Sequence, residues 1–231
     1  MPRKIPPARF PALIDCATRV FIDFGYRRTQ MADIADALGV AKGTLYLYVE
    51  SKEALFDLAL RYADRPESFK EPKALPIPTP KPAATLKYVR ERISTAEALP
   101  KLDAALQTKR PTGPAAEIES IIRELYGALS RNRRGIKLLD TSSRDWPELA
   151  ALWFRGGREG LMASLETYLE SRLRGRQFRP VPNIPAAARL IIETTVFWAV
   201  HRHWDPHPQA IEDTTAQDTV VCFIVGALTK E

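Results

Sequence analysis

The chain has 231 residues, of which 45% are hydrophobic and 27% charged, and its 34 Lys and Arg outnumber its 28 Asp and Glu for a net charge of +6. A chain of this length buries roughly 70–75% of its unfolded surface, as one large domain or two small ones, and needs no disulfide staple. Cys16 and Cys222 lack metal-type spacing and read as buried thiols of a reducing compartment. The N-terminus, MPRKIPPARF, is charged where a signal peptide is apolar, and the longest apolar run, Val220 to Leu228, falls well short of a membrane span. Secreted disulfide scaffolds and membrane proteins are thereby excluded, and the expected location is the cytoplasm.

The apolar pattern is helical nearly throughout, which gives an all-α fold class. Phe10, Leu13, Ile14, Ala17, Val20, Phe21 and Phe24 repeat at three-to-four spacing until Gly25. Thr29 is a good N-cap for a short second helix carrying Met31, Ile34, Ala35 and Leu38, which Gly39 ends. A third short helix spans Ala41 to Tyr48, and Ser51 caps a fourth with Leu55, Leu58, Ala59 and Tyr62 inward. Six of the 19 prolines then fall between Pro66 and Pro82, a density no helix survives. The sequence therefore divides into an N-terminal arm (1–8), a helical domain (9–64), a proline-rich, partly extended connector (65–82) and a second helical domain (83–231).

Helices resume near Ala84 with Leu86, Val89, Ile93 and Ala96, continue after Pro100 around Leu102 to Leu106, and run again through Ile118, Ile121, Ile122, Leu125 and Leu129. The last of these is expected to end at Arg131, Arg133, Arg134 and Gly135, since cations and glycine suit a helix C-terminus. Asp145, Pro147 and Glu148 mark the next start, and the pattern reaches Leu173. The last two helices, near 185–205 and 211–228, are apolar around most of their circumference and need cover on two sides. They are either a central pair inside a larger bundle or the surface on which two copies form a homodimer.

The segment TQMADIADALGVAKGTLYLYVESKEAL, residues 29–55, has the anatomy of a helix-turn-helix: two short helices joined by Leu38-Gly39-Val40, the second opening on small and polar residues. Here the chain resembles the TetR/AcrR family of transcriptional regulators. Ile34-Ala35, Gly39-Val40, Lys42 to Tyr46 and Ser51-Lys52-Glu53 match that family's pattern in order and register, over roughly residues 9–62. The resemblance implies a DNA-binding domain followed by a helical ligand-sensing and dimerisation bundle. It implies that Thr29 and Gln30 meet the phosphate backbone, that Ala41, Lys42, Gly43, Thr44 and Tyr46 lie in or beside the major groove with Leu47 and Tyr48 at its edge, and that Lys52 sits on a phosphate. Such contacts divide into phosphate contacts that set affinity and register and close approaches that read base edges. Ala32 departs from the polar residue many members carry there.

The basic excess is unevenly spread: basic residues lead acidic ones by nine to eight in residues 1–64 and fifteen to eight in 65–137, and trail ten to twelve in 138–231. Binding to DNA must then come from the placement of charge, because the first domain is nearly neutral. Arg3, Lys4 and Arg9 in the arm could track a phosphate or form a plain tail. His201, His203 and His207 lie close together, but Pro206 and Pro208 interrupt their helix and no metal site is assigned. Arg155-Gly156-Gly157-Arg158 marks a kink or a close helix crossing. By the resemblance, an apolar effector pocket lies among the middle helices, with Tyr126, Trp153 and Phe197 as candidate walls.

The expected function is a ligand-responsive regulator, a repressor that binds a palindromic operator as a dimer and is released by a small molecule. The alternative is a helical small-molecule binder that has lost specific DNA binding. No nucleophile–base pair, H-E-x-x-H or phosphate loop is present in the sequence, so no enzymatic activity and no cofactor is expected.

Overall fold

The structure, a computed structural model, describes residues 9–70, 72, 74–81, 83–96, 99–108 and 113–229. The arm, residues 1–8, lies outside them. Among the described residues twelve α-helices follow one another: α1 (Arg9–Arg28), α2 (Met31–Leu38), α3 (Lys42–Leu45), α4 (Lys52–Tyr62), α5 (Ala84–Ala96), α6 (Pro100–Gln107), α7 (Pro114–Arg131), α8 (Arg133–Ser143), α9 (Pro147–Ala151), α10 (Glu159–Arg174), α11 (Ile184–Ala199) and α12 (Asp213–Leu228). Among the described residues there is no strand beyond one isolated bridge, Val49 to Ile77, and no helix long and apolar enough to cross a membrane.

Packing divides the chain into two units: Met1–Glu91 with Arg134–Trp153, and Arg92–Arg133 with Phe154–Glu231. This cuts across the chain-order division at residue 83, because residues 134–153 fold with the N-terminal helices. Two local causes account for that. The Asp64 carboxylate accepts the N–H groups of Arg134 and Gly135 at 2.8 and 3.1 Å, satisfying donors that the first turn of α8 leaves open. Trp146 stacks on Tyr26 with ring centroids 4.9 Å apart and on Phe56 at 5.9 Å. Gly135 therefore opens α8 and does not close α7; a Cβ there would lie 2.9 Å from the Asp64 oxygen, so only glycine admits this cap.

In the first unit α1 packs on α2 and α4 around Phe10, Leu13, Phe21, Ile34, Leu55 and Phe56. α1 kinks at Gly25, and Phe24 at the end of its stripe is exposed. In the second unit α7, α10, α11 and α12 pack around Ile118, Ile121, Leu165, Leu169 and Ile192. Its core holds one ionic group, Arg172, fully buried on α10. Arg172 donates to both Glu117 oxygens at 2.7 and 3.1 Å and to the Ala105 carbonyl at 2.7 Å, and Tyr168 donates its hydroxyl to Glu117 at 3.0 Å. Burial, with the Glu117 charge, pushes the Tyr168 hydroxyl pKa up. These bonds tie α6, α7 and α10 together with each strong donor satisfied.

Two expectations are corrected here. Cys16 is buried, but Cys222 is exposed beside Phe223 on the outward side of α12. Residues 152–158, which contain the two glycines, form a widened π-helical turn, and no atom lies within 4 Å of a Cβ placed on Gly156, so that position is not a close crossing.

Candidate nucleic-acid interface

Helices α2 and α3 with the turn between them form a helix-turn-helix. Gly39 adopts φ 70°, ψ 37°, the left-handed conformation that closes α2, and its N–H donates to Asp36 at 3.1 Å while Val40 N–H returns to Ala35 at 2.9 Å. Leu45 is fully buried and anchors α3 to the unit. Around it Ala41, Lys42 and Gly43 are exposed, as are Tyr46 (42%) and Leu47 (58%), with Thr44 half-buried. No atom comes within 4 Å of a Cβ placed on Gly43. Nothing inside the protein requires glycine there.

The remaining candidates are turned inward. Thr29 has no exposed surface: its hydroxyl donates to the Gly25 carbonyl at 2.7 Å and its N–H to the same oxygen at 3.2 Å, so Gln30 and not Thr29 is the N-cap of α2. The Asp33 carboxylate accepts the Gln30 N–H at 2.7 Å. Tyr48 is buried edge-on against Phe10, ring centroids 5.2 Å apart. Lys52 donates its ammonium to the carbonyls of Tyr26 and Thr29, each at 3.0 Å, and of Arg27 at 3.4 Å. Those acceptors surround the end of α1, where the helix dipole is negative and favours an ammonium. Among the ten candidates, Gln30, Ala41, Lys42, Gly43, Tyr46 and Leu47 are exposed, and Thr44 and Lys52 are partly so.

The turn after α3 has a support that the sequence pattern did not reveal. The proline-rich segment runs extended along it: Ile77 N–H donates to Tyr48 O at 2.8 Å and Glu50 N–H to Ile77 O at 2.9 Å. Thr79 N–H donates to the Glu50 carboxylate at 2.8 Å, and its hydroxyl to Ser51 Oγ at 2.9 Å. Ser51 also caps α4, accepting the Ala54 N–H at 3.1 Å, as its residue type predicts. Pro76, Pro78 and Pro80 alternate with Ile77 and Thr79. In extended backbone alternate residues face opposite sides, so the prolines occupy the side where no donor is needed. Phe69 adds ring contacts to Phe10 and Tyr62.

Two of the three candidate pocket walls, Tyr126 and Phe197, lie in the second unit. Tyr126 is buried on α7 and donates its hydroxyl to the Trp198 carbonyl at 3.2 Å. Phe197 is partly exposed on α11, edge-on to Trp198, whereas Trp153 falls at the end of the N-terminal unit. His203 lies 3.4 Å from Asp213, which also pairs with Arg133 and Arg202. Among the described residues no cluster of three His, Cys, Asp or Glu is placed to hold a metal.

The profile of the family described as bacterial regulatory proteins, tetR family, matches residues 13–59. Over 49 residues, 21% of this chain and 24% of the relative, the chain is 45% identical to the HTH-type transcriptional repressor KstR2 of Rhodococcus jostii (strain RHA1). Over 53 residues, 23% and 26% of the two chains, it is 42% identical to the fatty acid metabolism regulator protein of Bacillus subtilis (strain 168). The matched segments span about a quarter of these relatives. The solved structure of the ketosteroid transcriptional regulator KstR2 of Mycobacterium tuberculosis superposes with TM-score 0.55 over 99% of this chain and 98% of that one, at 18% identity. A SmeT–triclosan complex gives 0.53 over 97% and 93%, at 16% identity. At such identities the likeness is one of fold: a helix-turn-helix followed by helices.

Proposed function

Because residues 13–59 match the profile of the tetR family of bacterial regulatory proteins, we propose that the chain is a ligand-responsive repressor of that family that binds a palindromic operator as a homodimer. The observation that carries this reading is the exposed side of α3, where Lys42, Gly43, Tyr46 and Leu47 surround a buried Leu45. Lys42 supplies a phosphate or base contact, Gly43 lets the backbone approach a base edge, and Thr44 and Tyr46 offer hydroxyls. Gln30 adds a contact at the start of α2. The dimer is formed by the outward sides of α11 and α12, where Leu190 (67% exposed), Phe197, Cys222 and Phe223 (74% exposed) lack cover. A two-fold axis through them sets two α3 helices on half-sites about one DNA turn, ~34 Å, apart. The effector binds among the helices of the second unit, with Tyr126 and Phe197 as the first residues to test, and releases DNA only by as much as it prefers the non-binding state.

Selection of bound duplexes from a random library by the purified protein at moderate salt tests the reading. An enriched palindrome supports it; no enrichment from a folded dimer favours a small-molecule binder without specific DNA recognition. Gly43→Ala sharpens the result. The substitution stabilises an exposed helical position by up to about 1 kcal/mol, so weakened operator binding with an unchanged or raised Tm places the defect at the DNA.

A further inference from the structure

A cavity of about 200 Å³, lined by no residue of α3, opens in the N-terminal unit. Tyr26, Phe56 and Trp146 line it as one contiguous ring cluster, with Tyr26 centred 4.6 Å from Phe56 and 4.9 Å from Trp146. Glu53 supplies a carboxylate, and the proline-rich segment contributes Lys81 and Ala83. Ala83 is held at φ 64°, a left-handed conformation costly for a residue with a Cβ, and strain of this kind gathers where a ligand is clasped.

The charges of the two ionisable lining groups differ in how firmly they are held. The Glu53 carboxylate is fixed by the Tyr26 hydroxyl, which donates to it at 2.9 Å. Burial works against its charge, but the hydrogen bonds from its own backbone N–H, Tyr26 and Ser51, with the Lys52 charge, outweigh it and hold the pKa below the usual glutamate value. Lys81 is exposed on a flexible stem that keeps its ammonium in water. The ring cluster already serves one ammonium: Lys52 Nζ stands 4.6 Å from the Tyr26 centroid. Aromatic faces attract cations, and a placed carboxylate adds to that attraction while repelling anions.

We propose that this cavity binds a small organic ammonium compound, its apolar part against the Tyr26–Phe56–Trp146 rings and its charge on the Glu53 carboxylate. The site is distinct from the effector role assigned to the second unit and stands whether or not the chain regulates transcription.

Titration calorimetry on the full chain with 2-phenylethylammonium, 2-phenylethanol and phenylacetate, three probes of one shape and different charge, tests this. The indole N–H resonance of Trp146, assigned through Trp146→Phe, reports the location. The ammonium probe is expected to bind about tenfold tighter than the alcohol and to shift the Trp146 resonance with the same Kd, while phenylacetate is expected not to bind. Glu53→Gln should remove the preference for the ammonium and keep binding of the alcohol. Lys81→Ala, which leaves the carboxylate in place, should preserve or strengthen ammonium binding. Equal affinity for the three probes, preference for phenylacetate, an unmoved Trp146 resonance, or loss of ammonium binding in Lys81→Ala would each overturn the proposal.

Discussion

The outward sides of α3 and of α11 with α12 are both left uncovered by their own units, yet they are built from different side chains. Around α3 the exposed residues are Ala41, Lys42, Gly43, Tyr46 and Leu47, mostly groups that donate hydrogen bonds or stay small, with Leu47 the apolar exception. On α11 and α12 they include Leu190, Phe197, Cys222 and Phe223, which gain by leaving water, beside polar residues such as Arg189 and Asp218. A polar, salt-sensitive partner suits the first and an apolar, self-complementary one the second. The supports behind the two surfaces differ as well. The α3 corner is held by backbone pairing and by the Lys52 clamp on carbonyls, whereas the second unit is held by an apolar core with Arg172 inside it, paired to Glu117 at its edge.

The largest effect should come from that buried pair. Arg172→Ala leaves the Glu117 charge without its main partner and is expected to cost roughly 3–5 kcal/mol of stability, read by denaturant unfolding. A loss below 1 kcal/mol would mean that Glu117 finds water or another donor. Next is the apolar surface: Leu190→Glu with Phe223→Glu should convert a dimer to monomers in light scattering and weaken operator binding by roughly 100-fold or more through lost bivalency. An unchanged dimer would move the interface elsewhere.

A third experiment separates two lysines that the sequence pattern treats alike. Lys42→Ala should weaken DNA binding at all sequences and lower the salt slope by about 1. Lys52→Ala should lower Tm and leave that slope unchanged, because its ammonium is spent on Tyr26, Arg27 and Thr29. Equal slopes for the two variants would place Lys52 on a phosphate after all.

The smallest effect concerns acid. Burial pushes the His203 pKa down, and the charges of Arg133 and Arg202 push it further. The folded state thus binds fewer protons than the unfolded chain, and stability is lost as pH falls from the unfolded histidine value of about 6.5 toward the lower folded one. Burial works to raise Asp213, but the hydrogen bonds and charges of Arg133 and Arg202 outweigh it and lower its pKa. Its contribution is complete above the unfolded aspartate value and is lost as pH falls through the folded one. Thermal melts should therefore decline in two acid steps, and His203→Gln should flatten the upper one only.

Much of the helix order was legible from apolar spacing, prolines and caps. Pro100 and Pro114 stand at the first position of α6 and α7, and Ser51 caps α4, because these preferences act within a few residues. α8 was missed for the opposite reason. Its N-terminal donors are satisfied by Asp64, some seventy residues earlier in the chain, and no local pattern announces such a cap. The proline-rich segment was legible as extended but not as docked, since its partners Tyr48 and Glu50 lie on the other side of α4 in the chain.

The candidate interface divides along the same line. The order of residues 29–55 placed the helix-turn-helix, since glycine at the turn and small residues on α3 are local requirements. Which of those side chains reach solvent was decided by tertiary packing. Thr29 and Lys52 carry hydrogen-bonding groups suited equally to a phosphate or to the carbonyls at the end of α1, and the kink at Gly25 brings those carbonyls within reach. A donor bonds the acceptor that the fold puts beside it, and the sequence alone does not say which that will be.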